Sequence, residues 1–301
     1  MDFNRYFNNK ELEATINDWV IAYQDLISVD VIGQSHNGRP IWLLKITNKN
    51  TGIDSEKPAV WIDANIHATE IAGTTTSMRL IYTLISEYGI DEQITRLLDS
   101  SAYYVVPRVN PDGAHLAMAE TPEYVRSGVR PYPWEDKEAG VHSQDIDQDG
   151  RILTMRIPDP NGDWKISTLE ARLMEKRGID EHGGQYYRLL PEGYIEDYDG
   201  FHIKIARPHR GLDFNRNFPV EWRPENDQHG AGPYPGSEPE IKAILDFITK
   251  HPNINAGITY HTYSGVILRP PCTHPDDDMD ASDLWTYKAI GKRGTELTGY
   301  P

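Results

Sequence analysis

Leu12, Ile16, Trp19, Val20, Tyr23 and Leu26 recur at helical spacing, so the chain opens on an amphipathic helix. Strands follow at 31–34 and 41–47. Asn37-Gly38 between them is a hairpin signal, although the connection is longer than two residues. The apolar run AVWIDANI, 59–66, has strand length, and 71–88 reads as a helix despite its Thr74–Thr76 triplet. AYYVVPRV, 102–109, is rich in β-branched and aromatic residues and predicts a buried strand. Pro111-Asp112-Gly113 ends it with turn chemistry. Further on come a helix at 241–250, strands at 256–260 and 266–268, and a helix at 283–297. Strands alternating with helices imply an α/β fold, a mixed and mostly buried sheet flanked by helices.

The rhythm breaks between 118 and 208, where Pro, Gly, Asp and Arg dominate. A loop that long needs structure or a function of its own. It reads as a long irregular insertion over one sheet edge, within a single domain spanning 1–301. A small second domain is the alternative. The length of 301 residues fits one large domain that needs no covalent staple.

Charge narrows the partners. Thirty basic against 46 acidic residues leave −16, a field that repels phosphate backbones, so no nucleic-acid partner is expected. The single cysteine, Cys272, excludes an internal disulfide and a cysteine-based zinc cluster. No run approaches 18 apolar residues, so no membrane span is expected. The N-terminus lacks a basic start followed by an apolar stretch. Cytoplasm is therefore the default expectation, with secretion left open.

His67-Ala-Thr-Glu70 follows one predicted strand and His261 follows another. If the two strands share a sheet and run the same way, these side chains emerge at one edge, where α/β proteins place ligands. Two imidazoles and a carboxylate suit a catalytic Zn2+ with a fourth position for water. His-x-x-Glu alone is a weak motif, and a lone His after a strand is commonly a hydrogen-bonded structural residue. There is no HExxH. Asn215 and Arg216 lie in a polar cluster, 213–218, able to hold a carboxylate through a guanidinium and an amide. Arg126 and Arg130 offer further cations. Separately, Asp145, Asp147, Asp149 and Gly150 follow the pattern D-x-D-x-D-G of a Ca2+ loop, with the Arg151 carbonyl as a further ligand. Position twelve is Arg156 instead of an acid, so Asp159 or Asp163 would have to complete the set. An acidic turn bonded to its own backbone is the plain alternative.

Five ordered segments together resemble the zinc metallocarboxypeptidase family of the carboxypeptidase A type. They are His67-Ala-Thr-Glu70, Asn110-Pro-Asp-Gly113, Asp213-Phe-Asn-Arg-Asn-Phe218, Gly236-Ser-Glu-Pro-Glu240 and Tyr260-His-Thr-Tyr263. The resemblance implies a peptidase that hydrolyses the C-terminal bond of peptides bearing a free carboxylate. It implies His67, Glu70 and His261 as zinc ligands, and Asn215 with Arg216 as the carboxylate grip. It also implies Arg126, with Arg130 as its rival, on the oxyanion, and Tyr263 beside the groove. Two departures stand out. Thr69 occupies a position where the family often has Arg. The general-base Glu that the family places some way past the third ligand is expected beyond Pro301, so the chain reads as C-terminally truncated. A non-catalytic peptide-binding protein, a cell-wall peptide peptidase and an N-acyl amino acid deacylase are the alternatives.

Overall fold

The first helix is set by its cap. Asn8 Oδ1 accepts from the Glu11 amide at 3.0 Å, and Glu11 Oε2 accepts from the Asn8 amide at 2.9 Å. The computed structural model describes residues 1–271 and 273–301; Cys272 lies outside the described residues, and with it the reading of that residue. Helix α1 (Asn9–Ala22) leads into β1 (Ile27–Gln34), β2 (Pro40–Ile46), β3 (Ala59–Ala64), α2 (Ala72–Ser86), α3 (Glu92–Ser100), β4 (Ala102–Val106) and α4 (Pro111–Ala117). After the middle segment come α5 (Pro239–Lys250), its strand partner Ile254–Tyr260, and a last helix, Ala281–Thr298.

The main sheet has five strands in the order β1, β2, β4, β3 and the 254–260 strand. The first two pairings are antiparallel, and the last two are parallel. Alternation along β3 and β4 fills two cores. On one face Ile62 and Val105 meet α1 and α2 through Leu12, Ile16, Met78 and Ile81. On the other, Trp61 and Tyr104 meet α5 through Ile244 and Phe247. Each such side chain contributes about 1.5–3 kcal/mol when fully buried.

Tyr260 pairs with Ala64 in parallel register, so both strands deliver their following residues to one edge of the sheet. The expected burial fails at the 254–260 strand, whose five central residues are exposed. Along its outer side no described strand pairs with it.

Three further expectations are corrected. Pro111-Asp112-Gly113 does not form a turn; it opens α4, with Asn110 as cap and Pro111 at the first helical position. Residues 266–268 form no strand, because Gly265 and Pro270-Pro271 bound too short a run. The 118–208 stretch is not irregular. It carries β5 (Gly140–Ser143), β6 (Thr154–Pro158), β7 (Trp164–Ile166), β8 (Met174–Lys176), β9 (Tyr187–Pro191) and β10 (Gly193–Glu196). These make a four-stranded sheet and a two-stranded ladder. Neither main core draws a residue from it. With these introduced, the 254–260 strand is β11 and the last helix α6. No helix among the described residues is long and apolar enough to cross a membrane.

Candidate metal centre

The ligand loop follows β3 and is held from below. Asn110 is fully buried; its Nδ2 donates to the Ile66 carbonyl at 3.3 Å and the Ser127 carbonyl at 2.7 Å. Gly113 lets the first turn of α4 approach, since a Cβ there would lie 2.6 Å from the Ala68 Cβ. The Ala68 amide donates to the Arg126 carbonyl at 3.0 Å, which brings the 125–127 segment alongside.

His67 Nδ1 lies 3.0 Å from Glu70 Oε1, and His261 Nδ1 lies 2.9 Å from Glu70 Oε2. The two Nδ1 atoms are 3.2 Å apart. Donors sharing one tetrahedral zinc at about 2.0–2.2 Å stand roughly 3.3 Å from one another, so the spacing fits. His67 Nε2 faces Asp213 Oδ1 at 3.1 Å. Asp213 can only accept there, so the ring proton belongs on Nε2 and Nδ1 offers its lone pair. With both Nδ1 atoms deprotonated, two lone pairs and a carboxylate face one point, and a cation there satisfies all three. The donor chemistry fits zinc.

Charge follows the same geometry. Burial pushes Glu70 up, but hydrogen bonds and charge from His261 and His67 outweigh it and hold the carboxyl at about 2. Burial likewise opposes Asp213, which His67 and Arg126 bring down to about 2. Burial pulls His67 down, and its bonds to Asp213 and Glu70 raise it on balance. His67 is nearly sealed, whereas the His261 side chain keeps 36% of its surface, so the approach is from the β11 side.

The two arginines have different partners. Arg126 Nε donates to Asp213 Oδ2 at 3.0 Å, and its Nη1 lies 3.9 Å from Glu70 Oε1. Arg130 is committed elsewhere, gripping buried Glu238 through two bonds at 2.6 and 3.0 Å. Asn215 and Arg216 stand on the 3₁₀ turn Phe214–Arg216, directly after Asp213, with Phe214 buried as its anchor. Both of their side chains are exposed. Tyr263 is fully exposed at φ 96° and is not drawn into the cluster. Asp213 is what sequence reasoning missed as the partner of His67. The residue was in view, but only the fold shows what it faces.

The acidic loop is formed as a loop. Asp145, Asp147 and Asp149 place one carboxylate oxygen each within 4.8 Å of one another. Their carboxylates accept the amides of Gly150, Asp149 and Arg151. Buried Glu192 takes the amides of Ile146, Asp147 and Leu153. Neither Arg156 nor Asp159 completes a ligand set: Arg156 lies over Tyr187, and Asp159 pairs with Arg188.

The sequence model of the zinc carboxypeptidase family matches residues 12–169 and 180–296. Rat carboxypeptidase A2 is 28% identical over 305 residues, covering 99% of this chain and 55% of the rat protein. A zinc carboxypeptidase of Saccharothrix mutabilis subsp. capreolus is 30% identical over 117 residues, 39% of this chain and 27% of its own. The chain thus spans about half the length of the rat relative. In fold it is similar to thrombin-activatable fibrinolysis inhibitor, with a TM-score of 0.60 at 21% identity, covering 97% of this chain and 55% of that one. It is also similar to the carboxypeptidase A of Helicoverpa armigera, with a TM-score of 0.61 at 17% identity over 98% and 54% of the two chains. With the family match spanning nearly the whole length, the chain belongs to the zinc carboxypeptidase family.

Proposed function

We propose that this chain carries the metal centre and substrate anchors of a peptidase that cleaves the C-terminal bond of peptides. The observation that carries the reading is the convergence of His67 Nδ1, His261 Nδ1 and the Glu70 carboxylate on one point, with Arg126 alongside. Zinc held there supplies a Lewis acid and lowers the pKa of a water to about 7. Arg126 presents a guanidinium to the developing oxyanion. Asn215 and Arg216, exposed beside Asp213, grip the free carboxylate of the substrate, and Tyr263 borders the groove. Asp213 keeps His67 in the ligating tautomer.

The test is release of the last residue from blocked dipeptides. Arg126→Ala is expected to lower kcat by about 10²–10³-fold, the usual loss for one oxyanion donor. Activity that survives a chelator overturns the zinc mechanism. A second reading, peptide binding without turnover, has its own support. Among the described residues, the carboxylates bonded to His67 and His261 are Glu70 and Asp213, both already engaged. Neither is spare to act as a general base, a role worth about 10²–10⁴-fold. Stoichiometric binding of the blocked dipeptide without turnover favours this second reading.

A structural Ca2+ on Asp145, Asp147, Asp149 and the Arg151 carbonyl belongs to the same proposal. It is supported by the approach of the three carboxylates and by Asp145 Oδ1, buried without a partner among the described residues. Calorimetry with calcium is expected to give heat for the wild type and none for Asp147→Ala. Flat traces for both remove the ion.

A further inference from the structure

Arg108 is an anomaly for a soluble fold. It is 2% exposed, yet its guanidinium meets no carboxylate among the described residues. Nε donates to Asn65 Oδ1 at 3.1 Å, Nη1 to Asn9 Oδ1 at 2.8 Å and Nη2 to the Phe7 carbonyl at 2.6 Å. A buried charge with neutral partners is costly, although it persists because burial lowers the group only to about 10. Its three donors reach across the fold. Phe7 and Asn9 belong to the start of the chain and α1, while Asn65 lies two residues before the first ligand.

Asn65 is itself unusual. It is fully buried, and its φ of 58° lies in the left-handed region that few non-glycine residues occupy. Its Nδ2 donates to the His67 carbonyl at 2.8 Å and the Ala68 carbonyl at 3.3 Å. Its backbone carbonyl accepts the Asn110 amide at 3.2 Å. The side-chain amide therefore ties down the backbone from which the His67 ring projects. Arg108, joined by the Thr74 hydroxyl that donates to the same Oδ1 at 3.4 Å, fixes which way that amide faces, because Oδ1 must point to the donors and Nδ2 to the two carbonyls.

We infer that Arg108 and Asn65 form a positioning relay that sets the His67 backbone for metal binding and couples it to the N-terminal residues Phe7 and Asn9. The inference rests on the zinc reading above. Neither residue touches the ligand atoms; the relay acts through the ligand loop. Groups of this outer kind typically account for about 10–100-fold in metal affinity.

The experiment is a double-mutant cycle on the 301-residue chain. Asn65→Gly keeps the left-handed backbone without strain but deletes the amide, and Arg108→Met keeps bulk but deletes the donors. Zinc affinity is read by competition with a chromophoric chelator, and site geometry by the visible absorption of the Co2+ form. Each single variant is expected to bind zinc about 10–100-fold more weakly, with displaced Co2+ bands. The double variant is expected to be no weaker than the poorer single. Wild-type affinity and spectrum in Asn65→Gly overturn the relay, as do losses that multiply in the double variant. Should Arg108→Met fail to fold, Asn65→Gly decides alone. Zinc uptake absent from the wild type sinks the zinc reading itself, a result separable from normal uptake that Asn65→Gly leaves unchanged.

Discussion

Glu70→Ala is expected to weaken zinc binding by about 10²–10³-fold, measured by chelator competition. Four-ligand zinc sites bind with roughly 10–16 kcal/mol, so one ligand is worth on the order of 3–4 kcal/mol. Glu70 has a double hold on the centre, because its two oxygens face different histidines at 3.0 and 2.9 Å. Removing the carboxylate leaves His67 Nδ1 and His261 Nδ1 facing each other at 3.2 Å with no anion to favour a cation between them. Glu70→Gln keeps the shape but not the charge and is expected to fall between wild type and alanine. Equal affinity in all three proteins contradicts the assignment of Glu70 as a ligand.

Glu240→Gln is expected to remove a stability loss of about 3 kcal/mol that the wild type suffers between pH 4.5 and pH 8. Glu240 is 1% exposed in the first turn of α5. Oε1 accepts the His36 amide at 2.9 Å, and Oε2 has no partner among the described residues. Burial raises its pKa from 4.5 to about 7, with the charges of Asp112 and Glu238 adding to the rise. Arg39 and Arg130 face the cluster but are held by Asp112 and Glu238. The folded state therefore keeps a proton that the unfolded chain has lost above 4.5. That contribution is complete below 4.5 and disappears as pH rises through about 7. Urea unfolding of both proteins across this range checks it, since other titrations cancel in the difference. A wild-type minus variant difference that stays constant with pH rejects the account.

The candidate metal centre was legible because its ingredients are local. Strand-length apolar runs end at His67 and His261, and parallel pairing does the rest. Asp213 was in plain view as a residue, but its contact with His67 spans 146 positions and leaves no local trace. Arg126 and Arg130 could not be separated along the sequence, because Glu238, which claims one of them, lies 108 residues away from it. Asn110-Pro-Asp-Gly113 misled for a different reason. The residues that make turns also begin helices, and Asn110 Oδ1 caps the Gly113 amide at 2.8 Å. The short strands between 140 and 196 are partly exposed and pair with one another, so they lack the alternation that a buried face imposes.

The bond between Arg126 and Asp213 joins residues 87 positions apart, and Tyr132 exchanges two further bonds with His209 and Gly211 just within the span it closes. The long middle segment thus leaves and re-enters through a pinched neck. Doubling the length of a closed excursion adds only about 0.6 kcal/mol of chain entropy. Evolution could therefore lengthen, shorten or redecorate this part at little thermodynamic penalty, while the sheet edge on which it stands kept its dimensions.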